Sequence, residues 1–200
     1  MTLGCAILLP AAGASQRMRG RDKLLQEVAG RPLLQVVAER ATRASPHVAV
    51  TLREEDSARE AVLAALPVTR LVVEDATEGM AASLRTGARW AMSLPVHALM
   101  IALPDMPEIT AEDMRALIRA QAQHAHLPLR ATDMTRSPGH PTLLPHALFS
   151  DLLQLRGDAG ARRLLAAHPP RLHPLTGHRA LTDLDTPEDW AAWRARAPRP

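Results

Sequence analysis

The run Gly4–Leu9 (GCAILL) constrains this chain more than any other stretch. It is apolar throughout rather than alternating, the pattern of a strand covered on both faces in the middle of a parallel sheet. It leads directly into Pro10-Ala11-Ala12-Gly13-Ala14-Ser15, a loop of small residues. Further strand-like runs at His47–Leu52, Arg70–Val73 and Ala98–Leu103 alternate with helical stretches at Arg31–Arg43, Asp56–Leu66 and Glu78–Ser93. Asp113–His124 continues the helical pattern, with apolar residues at i, i+3 and i+4. This alternation predicts an α/β fold of Rossmann-like type, a mostly parallel central sheet with helices on both faces. At 200 residues and 46% hydrophobic content, the chain reads as one domain over residues 1–200 with a real core, which excludes global disorder.

The second half is more broken. His124–Pro145 is rich in His, Pro and Arg and reads as an irregular excursion with one or two short strands, Pro141–Leu144 the clearest. Helices are expected at His146–Leu155 and Ala159–Ala167, split by Arg156-Gly157-Asp158. Arg171–Leu175 and Arg179–Leu184 read as late strands, a hairpin turning at Thr176-Gly177. Thr186-Pro187-Glu188-Asp189 supplies an N-cap, a proline at the first helical position and acids in the first turn, so a last helix runs to about Arg196.

Composition removes several function classes. Aromatics are 2% of the chain, too few for a protein that stacks single-stranded bases. The net charge is +3 with the two signs interspersed, which argues against a nucleic-acid arm or a polybasic membrane patch. No segment approaches the roughly 18 apolar residues of a membrane span, so a soluble, cytoplasmic protein is expected. The lone Cys5 lies in an apolar run and reads as a small buried hydrophobe. Of 24 Lys plus Arg, only Lys23 is lysine, which singles out a position where a compact ammonium is wanted.

Three segments carry chemistry. The loop after the first strand lets backbone N–H groups approach an anion, and Arg17, Arg19, Arg21 and Lys23 follow within a few residues. That is where an α/β sheet holds phosphate, and a solvated loop with surface arginines is the plain alternative. The loop fits neither G-x-G-x-x-G nor G-x-x-x-x-G-K-[ST]. In Leu99–Pro107 (LMIALPDMP), Asp105 sits between prolines where an apolar strand ends, a carboxylate placed for a hard cation or else a simple turn residue. In Leu181–Asp189 (LTDLDTPED), Asp183 and Asp185 alternate on an expected strand and would share one face.

Together the segments 9–34 (LPAAGASQRMRGRDKLLQEVAGRPLL), 78–87 (EGMAASLRTG), 101–107 (IALPDMP), 139–145 (GHPTLLP), 157–165 (GDAGARRLL) and 181–190 (LTDLDTPEDW) resemble the MobA-like nucleotidyltransferases. Within them the molybdenum cofactor cytidylyltransferases are the most similar. The resemblance covers essentially the whole chain. It implies transfer of a nucleoside monophosphate from a nucleoside triphosphate to a phosphorylated acceptor, with release of pyrophosphate. Carried over by motif, Leu9, Pro10, Ala11, Ala12, Gly13, Ala14, Ser15, Arg17 and Lys23 would hold the phosphates, with Arg17 and Lys23 as charge stabilisers. Gly79, Met80 and Ser83 would lie near the base or ribose. Asp105 would bind Mg²⁺ (or Mn²⁺), with Asp183 and Asp185 as candidate co-ligands, and Gly139, His140, Asp158 and Arg162 would face the acceptor.

The loop reads Ala11-Ala12-Gly13 where guanylyl-specific relatives usually carry a Gly-Gly pair, which points towards CTP, with molybdopterin as acceptor. A molybdoenzyme or its chaperone is a further implied partner. Guanylyl transfer, or transfer to another small phosphorylated acceptor, is the neighbouring reading; a non-catalytic nucleotide or cofactor carrier is the reading from another class. Two departures from the usual pattern are Arg19-Gly20-Arg21, which lengthens the loop by one residue before the lysine, and Pro104 before the aspartate.

Overall fold

The computed structural model describes residues 4–157 and 161–196. Its strands are β1 (Gly4–Pro10), β2 (Glu27–Val28), β3 (Arg31–Pro32), β4 (Val48–Leu52), β5 (Thr69–Val72), β6 (Val96–Ile101), β7 (Leu129–Thr132), β8 (Pro138–Pro145) and β9 (Arg171–Pro174). Its helices are α1 (Leu33–Ala44), α2 (Ser57–Val62), α3 (Met80–Met92), α4 (Ala111–Ala122), α5 (Phe149–Leu152), α6 (Arg162–Ala167) and α7 (Pro187–Arg196). Seven strands form one sheet in the order β5-β4-β1-β6-β8-β7-β9. β1 is indeed central, with β4 and β6 as parallel neighbours. β8 runs antiparallel to both β6 and β7, while β7 and β9 pair parallel.

Both faces of β1 are covered, as its apolar run requires. Cys5, Ile7 and Leu9 point into a core completed by Leu34, Val37 and Ala41 of α1, Met114 and Leu117 of α4, and Trp190 of α7. Ala6 and Leu8 point the other way, against Leu84, Ala88 and Ala91 of α3, Phe149 and Leu152 of α5, and Leu164 of α6. Gly87 sets the depth of α3: a Cβ there would come within 2.2 Å of Leu8 Cδ2. The close packing places the first turn of α3 beside the carboxyl end of β1. Burial pushes the Cys5 thiol up to about 12, so it behaves as the hydrophobe expected.

Two expectations in the second half are corrected. Arg179–Leu184 is not a strand, and there is no hairpin at Thr176-Gly177. Gly177 has φ +66°, and Leu181 N and Thr182 Oγ1 both donate to His178 O, so the segment closes into a turn. The Ala180 carbonyl is taken by His140 N, which leaves no ladder for β9 to join. The region His146–Leu155 is a short 3-10 turn followed by the four residues of α5. β7, hidden inside the irregular excursion, was not singled out by its composition. Among the described residues, no helix is long and apolar enough to cross a membrane.

Candidate active site

The carboxyl ends of β1, β4, β5 and β6 open onto a cleft of about 990 Å³. Its walls come from Pro10, Ala12–Arg17 and Lys23 after β1, Arg53–Glu55 after β4, and Glu74, Ala76 and Thr77 after β5. Gly79, Met80 and Ser83 at the start of α3, Leu103–Asp105 after β6, and Asp183 and Asp185 complete them. Ligands of open α/β sheets bind at this edge. Leu9 and Ala11, expected in the phosphate loop, are fully buried and support the loop from beneath. Gly79 has φ +87°, a conformation suited to glycine, and turns the chain into α3.

The loop is held by a residue the sequence did not flag. Arg59 of α2 is 2% exposed and lies under the loop. Its Nη1 donates to the carbonyls of Ala11 (2.6 Å) and Gly13 (2.8 Å). Its Nε donates to Asp22 Oδ2 (2.7 Å), and its Nη2 to Asp22 Oδ1 (3.0 Å) and Ser15 Oγ (3.3 Å). Asp22 Oδ1 also accepts from Leu24 N (2.9 Å), capping the 3-10 turn Lys23–Leu25. Burial works against the Asp22 carboxylate, but the Arg59 guanidinium outweighs it and holds the carboxyl below its usual range. The available signals were the aspartate directly before the lone lysine, and an arginine within a short helix otherwise made of small residues, one acid and a valine.

Lys23 Nζ lies 2.5 Å from Asp105 Oδ2 and 2.6 Å from Asp185 Oδ1. Arg17 Nη2 reaches Asp185 Oδ2 at 2.7 Å from a largely exposed position. Burial alone would lower the Lys23 pKa; the adjoining carboxylates of Asp105 and Asp185 raise it instead. The sequence thus named a lysine and two acids, remote in the chain, that the fold brings into contact. Leu184 N donates to the Asp105 carbonyl (3.0 Å), and Arg40 Nη1 donates to the carbonyls of Pro107 and Ile109, so both sides of the Asp105 loop are tied.

Asp183 and Asp185 line the cleft, though from a loop between the turn and the α7 cap rather than from a strand. The cap itself is as expected: Asp189 N donates to Thr186 Oγ1, and Thr186 N to Asp189 Oδ2. Desolvation pushes the Asp183 carboxyl up, as do the charges of Asp105 and Asp185, with Lys23 opposing. Among the described residues, no three His, Cys, Asp or Glu side chains gather into a ligand cluster. The donor set still fits a hard divalent ion that keeps water and phosphate oxygens as ligands: Asp105 Oδ1 is buried with no hydrogen-bond partner, beside a second carboxylate.

Of the residues expected on the acceptor side, Gly139, His140 and Arg162 do not line this cleft. Gly139 packs against the turn beyond β9, where a Cβ would sit 1.8 Å from the Ala180 carbonyl oxygen. His140 is largely buried, and burial, then the charge of Arg130, lowers its pKa to about 4, with Asp105 opposing. Its Nδ1 has no hydrogen-bond partner. Arg162 is exposed at the start of α6. Asp158 lies outside the described residues. Glu78 links the two sides: it pairs with Arg85, accepts from Gly157 N, and Arg85 donates on to the Leu155 carbonyl.

A small-residue loop at the carboxyl edge of a mostly parallel sheet, with a lysine clasped by two aspartates, defines the class as a nucleotide-handling α/β enzyme. Residues 6–172 match the MobA-like NTP transferase domain, and the chain belongs to that family; it is a nucleotidyltransferase. It is 33% identical over 194 residues to the molybdenum cofactor guanylyltransferase of Ectopseudomonas mendocina, covering 94% of this chain and 90% of that one. It is 27% identical over 191 residues to the purine catabolism protein PucB of Bacillus subtilis, covering 90% and 91%. The crystal structure of Rv0371c of Mycobacterium tuberculosis in complex with manganese superposes with a TM-score of 0.78 at 25% identity, over 96% of this chain and 98% of that one.

Proposed function

We propose that this chain, acting as one nucleotidyltransferase domain, joins a nucleoside monophosphate to the phosphate of a molybdopterin-type acceptor. The observation that carries this reading is the Lys23 ammonium clasped between Asp105 and Asp185 directly below the small-residue loop. An oxygen of the acceptor phosphate attacks the α-phosphorus of the triphosphate, the α–β bridging bond breaks, and pyrophosphate leaves with that electron pair. A phosphomonoester is already largely deprotonated near neutral pH, so no general base is needed. The work left for the protein is alignment and charge neutralisation. The backbone of Ala12, Gly13, Ala14 and Ser15 would receive phosphate oxygens, and Arg17 and Lys23 would stabilise the charge that builds up on them. Gly79, Met80 and Ser83 would bound the nucleoside.

Asp105, with Asp183 or Asp185, would hold Mg²⁺ or Mn²⁺. When bound, that ion would draw charge from the phosphate oxygens. The manganese complex of the Mycobacterium tuberculosis relative supports a divalent ion here. The acceptor side is proposed to lie beyond this cleft lining, towards Gly139, His140, Asp158 and Arg162.

The relatives named guanylyltransferases support GTP as donor. A specific observation supports CTP as the second reading. Ala12 packs against Val73 and Ala82, and its methyl group fills space that the glycine of the guanylyl pattern would leave open. Titration of the purified chain with GTP, CTP, ATP and UTP in Mg²⁺, followed by turnover with molybdopterin, decides between them. A GTP preference assigns guanylyl transfer, and a CTP preference assigns cytidylyl transfer. Tight binding without turnover of any nucleotide would mean a carrier for a molybdoenzyme or its chaperone.

A further inference from the structure

We propose that Arg59 is the positioning residue of this site: it presets the phosphate-facing backbone of Ala11–Ser15 and the turn that carries Lys23 in one arrangement. The inference rests on the nucleotidyl-transfer reading of the cleft and deepens it. Arginine has five N–H donors in a rigid fork, and here each has an acceptor. Two go to the Ala11 and Gly13 carbonyls, two to the carboxylate of Asp22, and one to Ser15 Oγ.

The carbonyl bonds set the direction of the loop. In a trans peptide the N–H lies opposite the preceding C=O. With the carbonyls of Ala11 and Gly13 drawn towards Arg59, the N–H groups of Ala12 and Ala14 turn away from it, and both residues line the cleft. The carboxylate bonds set the lysine. Asp22 spends one oxygen on both Arg59 and Leu24 N, so the guanidinium fixes the residue that caps the Lys23 turn. Asp56, itself held by Arg53, stands 3.5 Å from Arg59 Nη1 and keeps the α2 end of the assembly in register. A lysine at position 59 has three donors on a flexible stem and cannot span two carbonyls and a carboxylate together.

The test compares wild type, Arg59→Lys, Arg59→Ala and Asp22→Asn as full chains. Hydrogen exchange of loop amides and steady-state turnover with Mg²⁺, GTP or CTP, and molybdopterin are read on each. For Arg59→Lys we expect cooperative unfolding to persist, exchange across residues 12–15 to quicken by about tenfold or more, and kcat/KM to fall by about 10²-fold. Added guanidinium ion should restore a good part of the turnover lost in Arg59→Ala. Asp22→Asn should quicken exchange at Leu24 more than at Ala12. Turnover by Arg59→Lys within about twofold of wild type, or loop exchange unchanged in it, overturns the proposal. Should Arg59→Ala fail to fold, Arg59→Lys and Asp22→Asn still decide the question. A wild-type chain that turns over neither nucleotide defeats the transfer reading alone, because the exchange comparison still measures the hold of Arg59 on the loop.

Discussion

The loop after β1 and the pairing of β8 with the turn at 177–181 lie on opposite sides of β6, and they are built in opposite ways. The first is short, follows the central strand and has the carbonyls of Ala11 and Gly13 and the carboxylate of Asp22 satisfied by the buried Arg59. The second rests an antiparallel strand on a turn through the bond from His140 N to the Ala180 carbonyl, and retains unpartnered buried groups at His140 Nδ1 and Thr142 Oγ1. The contrast teaches where specificity is free to vary. A preset cradle suits a group that does not vary, as a phosphate chain does not, whereas a region of turns can be rebuilt without disturbing β1.

The comparison can be broken most severely at its centre. Lys23→Ala and Asp105→Ala should each lower turnover by about 10³-fold, equivalent to about 4 kcal/mol of transition-state stabilisation, while thermal unfolding stays cooperative. Paired kinetics and calorimetry check this, and variants that lose the fold would make both residues structural. Next in size is a contrast between two glycines. Gly139→Ala drives a methyl group into the Ala180 carbonyl, a backbone atom, and should cost about 3 kcal/mol or more. Gly87→Ala meets the side chain of the buried Leu8 up to Cγ at 2.9 Å, which can repack where a backbone carbonyl cannot, and should cost about 1–3 kcal/mol. Denaturant melts of the two variants give the order, and the reverse order would show that the Ala180 turn yields more easily than the α3–β1 contact.

A pH series sharpens the same contrast at His140. The folded-state pKa of His140 is about 4 against an ordinary value of 6.5, so the fold binds the neutral ring. Its contribution is fully present above pH 6.5 and is lost as pH falls towards 4. Asp22, lowered from 3.8, gives up its contribution only at still lower pH. Melting of the metal-free protein should therefore weaken in two stages, and His140→Asn should shrink the first, the remainder coming from His173, whose pKa burial and then the Arg171 charge also lower. The smallest effect is expected at Cys5, whose thiol should stay inert to disulfide exchange reagents until the chain unfolds.

Much of the cleft lining was legible in the sequence because it depends on local patterns: an apolar run, small residues after it, and a proline-bounded aspartate. Asp185 was found for an incomplete reason. Its spacing from Asp183 suggested a strand, but the true cause of its position is the capped start of α7 and the bond from Leu184 to Asp105. Arg59 stayed invisible because nothing in SAREAV distinguishes a buried arginine from a surface one; apart from the long contact to Asp56, its acceptors belong to Ala11, Gly13, Ser15 and Asp22, 37 to 48 residues earlier. β7 escaped because Leu-Arg-Ala-Thr has neither length nor alternation enough to be read as a strand before its neighbours β8 and β9 are known.

The clasped lysine has one more consequence. A chain with a single lysine has only two primary amines, the N-terminal one and Nζ of Lys23, so isotopic reductive methylation would place one of just two spectroscopic reporters inside the cleft. With its pKa raised by Asp105 and Asp185, that amine should react more slowly than a solvated one. Its chemical shift would report, without any engineered probe, whether the carboxylate partners are exchanged when a nucleotide is added.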